Sequence, residues 1–209
     1  MKLLIIGAPR SGTTSLSRGI ASQNYFLKDE PYNYDIGPTK LDNKYPLKEL
    51  GEYKNIIVKT IGYQLPKEKE GTNPIDFGIE FSSHFDKTIL LDRLIWDSHY
   101  EAYVNLFRKL RLGLDIYSPW TFNSLTKKDF QWAIENGVEE ELKNRKKIIS
   151  DLSENLNIPI TYYEHLYSED RIKVFEMINK WDLEDIDPFE LLDYLDPSKK
   201  YRKENKDLI

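Results

Sequence analysis

Residues 2–16 read Lys2-Leu3-Leu4-Ile5-Ile6-Gly7-Ala8-Pro9-Arg10-Ser11-Gly12-Thr13-Thr14-Ser15-Leu16, and this stretch decides the fold. The apolar run Lys2–Ile6 is too short for a membrane span or the core of a leader, and it reads as a buried strand. It passes directly into a turn with two glycines and then into a helical pattern from about Thr13 to Gln23. A strand, a tight turn and a helix start together form an anion site. The turn's N–H groups converge, and the helix dipole adds partial positive charge there. Gly7 and Gly12 let the backbone come close to a ligand because they carry no Cβ. Thr13, Thr14 and Ser15 add hydroxyl donors, and Arg10 adds a fixed fork of charged ones.

Apolar runs recur at Tyr25–Leu27, Asn55–Lys59, Lys87–Leu91 and Pro159–Tyr163. Between them lie helical patterns. Near-continuous apolar strands alternating with helices predict a parallel sheet covered on both faces, hence an α/β doubly wound architecture of about five strands. Asp97–Leu112 reads as one helix, with Tyr100, Tyr103, Val104, Phe107 and Leu110 or Leu114 near one face. Lys127–Asn157 reads as a long charged helical region broken near Gly137. Its pairs Glu139/Lys143 and Glu141/Arg145 are favourably spaced, and its charges read as a solvated face. Ser168–Trp181 reads as a helix capped by Ser168, and Asp187-Pro188 begins a short last one. The polar tail from Asp196 reads as mobile unless it docks on a ligand.

The chain of 209 residues reads as a single domain, with 40% hydrophobic and 31% charged residues and a net charge of −5. That balance gives no bulk attraction to nucleic acid or an anionic membrane. There is no cysteine, which excludes disulfides, thiolate metal sites and thiol nucleophiles and suits a reducing, cytoplasmic setting. His84, His99 and His165 have no metal spacing and read as surface or capping residues. Trp96, Trp120, Trp132 and Trp181 read as core or pocket walls.

The spacing Gly7-x-x-x-x-Gly12 is that of the nucleoside-triphosphate P-loop, but Thr13 stands where that motif has Lys. The cation lies inside the loop, at Arg10, which argues against an ATPase, a GTPase or a metal-dependent kinase. At this point Pro9-Arg10-Ser11-Gly12-Thr13-Thr14-Ser15-Leu16 resembles the 5′-phosphosulfate loop of sulfotransferases that use 3′-phosphoadenosine-5′-phosphosulfate (PAPS). The resemblance implies that Pro9 to Ser15 bind that donor without a required metal.

The resemblance runs in order along most of the chain. Glu30-Pro31-Tyr32-Asn33-Tyr34-Asp35 is similar to the E-x-x-x-x-D string of heparan-type sulfotransferases, which implies Glu30 as the base and Asp35 as an acceptor contact. Burial that raises the Glu30 pKa toward working pH would suit it to that role. Lys59-Thr60 resembles the K-T-P string of the same group, with Ile61 in place of Pro, and implies Lys59 near the transferred group. The other reading of Lys59 is a snorkelling residue at a strand end. Arg93 matches the family's 3′-phosphate Arg. The companion Ser of that pattern would fall at Glu101 or Ala102, so Ser98 or the tail residues Arg202 and Lys203 would have to complete that pocket. Tyr163-Glu164-His165-Leu166 resembles a Y-E-D-L string and reads as a brace for the strand–helix turn. The implied reaction is sulfuryl transfer to a hydroxyl or amine of a small-molecule acceptor or a carbohydrate. Two rivals stand beside it: a nucleotide or small-molecule kinase, and a sulfotransferase fold kept as a binding protein.

Overall fold

The computed structural model describes residues 1–33, 45–114 and 125–196. Within them the chain is α/β, with a five-stranded, wholly parallel sheet in the order β2-β3-β1-β4-β5. The strands are β1 (Lys2–Gly7), β2 (Phe26–Asp29), β3 (Ile56–Ile61), β4 (Lys87–Asp92) and β5 (Ile160–Tyr162). The helices are α1 (Thr13–Ala21), α2 (Glu49–Glu52), α3 (Pro74–Ser82), α4 (Trp96–Arg111), α5 (Lys127–Glu135), α6 (Val138–Leu156), α7 (Tyr163–Leu166), α8 (Arg171–Lys180) and α9 (Pro188–Tyr194). All five expected strands are present, offset by no more than two residues at either end.

The period of two along each strand sorts its side chains between two cores. Leu3, Ile5, Ile57, Ile89 and Leu91 face α1, α8 and α9, where they meet Leu16, Ile20, Val174, Ile178 and Leu191. Leu4, Ile6, Ile56, Val58 and Leu90 face the other way, onto Phe77 and Phe81 of α3 and Ile149 and Leu152 of α6. Burying each such side chain contributes about 1.5–3 kcal/mol, so both faces must be covered for the sheet to persist. A third cluster joins Tyr103 and Val104 of α4 to Ala133, Val138 and Leu142 of α5 and α6. Trp96 and Trp132 lie at the edge of this cluster and Trp181 at the edge of the first. Trp120 falls outside the described residues.

Several helical details differ from the sequence reading. The apolar stripe of α4 ends at Phe107, because Leu110 and Leu114 point to solvent at 47% and 42% exposure. The charged region is two helices, and the break is Gly137, whose φ of 68° is the left-handed conformation that glycine adopts without strain. Thr126 and Asp129 form a reciprocal capping box at the start of α5. Asp170, not Ser168, caps α8: its carboxylate accepts from the Lys173 N–H, while Ser168 lies in the preceding turn and accepts from the Asp170 N–H. The Glu139/Lys143 and Glu141/Arg145 pairs form as spaced. The α6 charges are not all solvated, however. Arg145 lies 3.6 Å over the Tyr63 ring, and Lys146 turns inward.

The topology places the site. β1 and β4 are neighbours, yet the helix after β1 lies on one face of the sheet and the helices after β4 are continuous with the cover of the other. The chain therefore departs in opposite directions from two adjacent strand ends. This leaves a crevice beyond their carboxyl ends, where ligands of open α/β sheets bind.

Candidate functional site

The loop from Ala8 to Gly12 leaves β1 at this crevice. Its first N–H still follows the sheet, with Ala8 donating to the Leu91 carbonyl at 3.0 Å. Arg10 then takes φ 63° and Gly12 φ 87°, both left-handed, and the helix begins at Thr13. No side chain caps α1, and its first turn has no acidic residue. The first intrahelical bond is Leu16 N–H to the Gly12 carbonyl, so the amides of Gly12 to Ser15 have no acceptor within the helix. This is the arrangement in which a helix start receives an anion.

The loop's side chains divide. Ser11 and Thr13 are buried, at 0% and 4% exposure, while Arg10, Thr14 and Ser15 are half-buried. The Thr13 side chain packs against Gly7, where any Cβ would collide with the Thr13 methyl and the Ser11 hydroxyl. Gly7 is thus required by close packing. Gly12 is required by its φ and by Tyr163, whose ring stands 2.7 Å from where a Cβ would be. The buried Ser11 hydroxyl has no hydrogen-bond partner among the described residues.

On the other side of β1, two adjacent strands bring Glu30 and Lys59 together. Glu30 is the first residue after β2, and its N–H donates to the Lys59 carbonyl at 2.7 Å. Its carboxylate is held at both oxygens. Oε1 accepts from the Lys59 ammonium; Oε2 accepts from Gln64 at 2.9 Å and from Asn33. Lys59 lies within β3 rather than at its end and is 1% exposed, which rules out snorkelling. Its ammonium also lies 3.1 Å from Asp29. Gln64 is oriented in turn. Its side-chain oxygen accepts from the Thr60 hydroxyl and the Ile61 N–H, each at 3.1 Å, which turns its amide nitrogen toward Glu30.

This arrangement corrects the expectation for the Glu30 pKa. Burial would raise it, but the Lys59 charge and the hydrogen bonds from Lys59, Gln64 and Asn33 outweigh burial and hold the carboxyl below its ordinary value. In this state Glu30 is an ionised carboxylate that is already fully engaged.

Arg93 follows β4. Its Nη1 donates to the Ser98 carbonyl at 3.0 Å, its guanidinium lies 4.1 Å over the Tyr163 ring, and its Nε is buried without a partner among the described residues. Arg93 and Ser98 are thus adjacent, but through the Ser98 backbone; the Ser98 hydroxyl donates to the Ile95 carbonyl at 3.2 Å. The Tyr163 ring touches both Arg93 and Gly12, so one aromatic face joins the β4 end to the start of α1. Glu164 accepts from the Leu94 and Ile95 N–H groups at 2.8 and 3.3 Å, so it braces the turn between β4 and α4 rather than the turn after β5 in which it lies. Asp35, Arg202 and Lys203 lie outside the described residues.

Sequence reasoning missed a polar cluster behind the loop. His99 is fully buried, against the expectation of a surface or capping residue that His84 and His165 do meet. Its Nε2 lies 2.6 Å from the Pro9 carbonyl and its Nδ1 3.4 Å from the Lys146 ammonium. Lys146 also donates to Asp92 at 2.7 Å and to the Arg93 carbonyl at 2.6 Å. Burial pushes the His99 pKa from 6.5 down to about 4, with the Lys146 and Arg93 charges acting in the same direction against the Pro9 bond. Burial raises the Asp92 carboxyl, against the pull of Lys146.

Among the described residues no three His, Asp or Glu side chains are placed to hold a metal, and no helix is long and apolar enough to cross a membrane. Comparison of the chain with protein-family models, with curated proteins and with solved structures finds no match.

Proposed function

We propose that the protein is a PAPS-dependent sulfotransferase acting on a hydroxyl or amine acceptor. The observation that carries this reading is the meeting, at the carboxyl end of the sheet, of an uncapped helix start behind Arg10 with the Glu30–Lys59 pair near the ends of the next two strands. An anion site supplies binding; a carboxylate and an ammonium beside it supply a proton acceptor and a positive charge. The residues also fit a donor with two anionic ends. The Ser11 hydroxyl and the Arg93 Nε are buried polar atoms with no partner among the described residues, one in the loop after β1 and the other at the end of β4.

PAPS, when bound, supplies the activated sulfuryl group. Arg10 and the amides and hydroxyls of Ser11 to Ser15 would hold the phosphosulfate, and Arg93, positioned by the Ser98 carbonyl, would hold the 3′-phosphate. Glu30 accepts the proton of the acceptor hydroxyl or amine. Lys59 must then share its ammonium between Glu30 and the charge that grows on the leaving side, and giving up part of its bond to Glu30 makes that carboxylate a stronger base. A carbohydrate acceptor is the first to try, from the resemblance around Glu30.

A second reading, a donor-binding protein without turnover, is favoured by one observation: Glu30 is tied at both oxygens by Lys59, Gln64 and Asn33. Calorimetric titration with adenosine 3′,5′-bisphosphate and 5′-AMP in EDTA, and with ATP·Mg²⁺ in EDTA-free buffer, tests the donor site. Metal-free binding that weakens without the 3′-phosphate is expected; binding to ATP·Mg²⁺ alone would sink the reading. Incubation with PAPS and a panel of hydroxyl acceptors then separates transferase from binding protein.

A further inference from the structure

The geometry points to His99 as the positioning residue of the β1–α1 loop: its Nε2–H bond to the Pro9 carbonyl sets the direction of the Arg10 N–H toward the ligand crevice. This inference rests on the reading of that loop as the donor site.

The argument starts from the planarity of a trans peptide, in which the C=O and the next N–H point in opposite directions. The Pro9 carbonyl is drawn inward by His99, which is itself fully buried. The N–H of Arg10 on the same peptide therefore points the other way, out of the protein interior. The left-handed φ of Arg10, 63°, accords with this: the Ser11 N–H donates to the Ala8 carbonyl at 3.3 Å, closing a turn with Pro9 second and Arg10 third, and a positive φ at the third position goes with this setting of the Pro9–Arg10 peptide. Without the pin the peptide could flip, and a carbonyl oxygen would replace a donor at the mouth of an anion site.

The pin has a defined chemical state. A carbonyl only accepts, so Nε2 carries the proton. An ammonium only donates, so Nδ1, which faces Lys146, carries the lone pair. His99 is thus the neutral Nε2–H tautomer, and the groups that hold it so come from every surrounding element: Lys146 of α6, Asp92 and Arg93 at the end of β4, and Glu164 of α7. Asp92 Oδ1 lies 3.6 Å from Nδ1, and its other oxygen binds the Lys146 ammonium. Lys146 anchors this chain at the Arg93 carbonyl, so the residue proposed for the 3′-phosphate and the loop proposed for the phosphosulfate share one support.

Glutamine and asparagine separate this role from general packing. The Gln side-chain nitrogen reaches the position of Nε2 and can still donate to Pro9, whereas Asn reaches only that of Nδ1. H99Q should hold adenosine 3′,5′-bisphosphate within about threefold of wild type, and H99N should bind about tenfold or more weakly, the scale of one lost hydrogen bond to an anion. Thermal melts of both variants check folding. Equal losses in the two, or none in either, would overturn the proposal. Histidine ¹⁵N spectra of the wild-type protein give an independent readout: Nδ1 unprotonated and no titration between pH 8 and pH 5 are expected, and a protonated Nδ1 overturns the assignment. If the wild-type protein does not bind the bisphosphate, the donor reading fails on its own. The loop is then scored with sodium sulfate, through the Arg10 amide resonance. A sulfate-induced shift present in wild type and H99Q but lost in H99N supports the inference; no shift in wild type overturns it.

Discussion

The ammonium of Lys59, buried in the middle of the sheet, bonds the carboxylate of Glu30, the first residue beyond the neighbouring strand. This contact adds a side-chain tie to the backbone pairing of the edge strand β2 with β3 at the carboxyl end of the sheet, and with Gln64 and Asn33 it lowers the basicity of Glu30. Lys59→Met would leave Glu30 and Asp29 buried or half-buried without their cation, and should destabilise by about 3–5 kcal/mol. Adding Glu30→Gln should recover about 1–3 kcal/mol of that, because the stranded charge is removed. Chemical denaturation of the two single variants and the double variant closes the cycle; strict additivity would show that the pair does not couple. In the proposed reaction Glu30→Gln also loses turnover while its donor affinity stays near wild type.

Gly12 and Gly137 both have left-handed φ, 87° and 68°, but only Gly12 has a neighbour in the way. Gly137→Ala should cost about 1–2 kcal/mol from backbone strain alone. Gly12→Ala adds displacement of the Tyr163 ring and should cost about 2–4 kcal/mol. Melting curves rank the two, and equal shifts would mean that Tyr163 moves aside freely.

Arg93→Ala tests the far end of the donor site. Loss of one charged contact to a phosphate corresponds to about 1.5–3 kcal/mol, so affinity for adenosine 3′,5′-bisphosphate should fall roughly 10- to 100-fold while that for 5′-AMP changes little. Parallel losses for both ligands would place Arg93 in support of Tyr163 rather than on the 3′-phosphate.

His99 makes stability depend on pH with a definite sign. Its folded pKa of about 4 lies below the ordinary 6.5, so between these values the unfolded chain binds the proton that the folded protein refuses. Stability from this group is full above pH 6.5 and is lost as pH falls toward 4. Glu30, also lowered, adds a loss below its ordinary 4.5. Asp92, raised by burial, works in the opposite sense just above 3.8. From pH 7 to 5 His99 dominates, with an expected loss of about 2 kcal/mol. Urea unfolding at the two pH values should show this loss in wild type and a markedly smaller one in H99Q; matching losses would remove His99 from the account.

The sheet was legible because β1 to β4 each carry three or four consecutive apolar residues and β5 a short run broken only by Thr161, and short apolar runs separated by helical patterns read as parallel strands. The placement of Glu30 just beyond β2 and Arg93 just beyond β4 followed from the same runs. The supporting residues were not legible. His99 lies 90 positions from Pro9 and 47 from Lys146, and a lone histidine in a helix gives no sign of which carbonyl it will meet. Lys146 sits in a run of charges that reads as solvent-facing until α6 is laid on the sheet. Gln64 reaches Glu30 only because the turn after β3 folds back on itself, and no spacing in Gln64-Leu65-Pro66 encodes that contact. The Glu30 pKa was misjudged for the same reason: burial could be read from the strand, but the convergence of Lys59, Gln64 and Asn33 on one carboxylate could not.

The strand order also governs how the chain can be made. β1 is first in sequence and central in the sheet, and its partners β3 and β4 begin only at Ile56 and Lys87. During synthesis β1 emerges ahead of both of the strands that flank it in the sheet. Until β3 has left the ribosome Leu3 to Ile6 have neither strand partner, and until β4 follows they have only one, which leaves them open to a chaperone or a wrong neighbour. A change that slows the appearance of β3 or β4 would therefore surface as aggregation of new chains while leaving the finished protein's stability untouched.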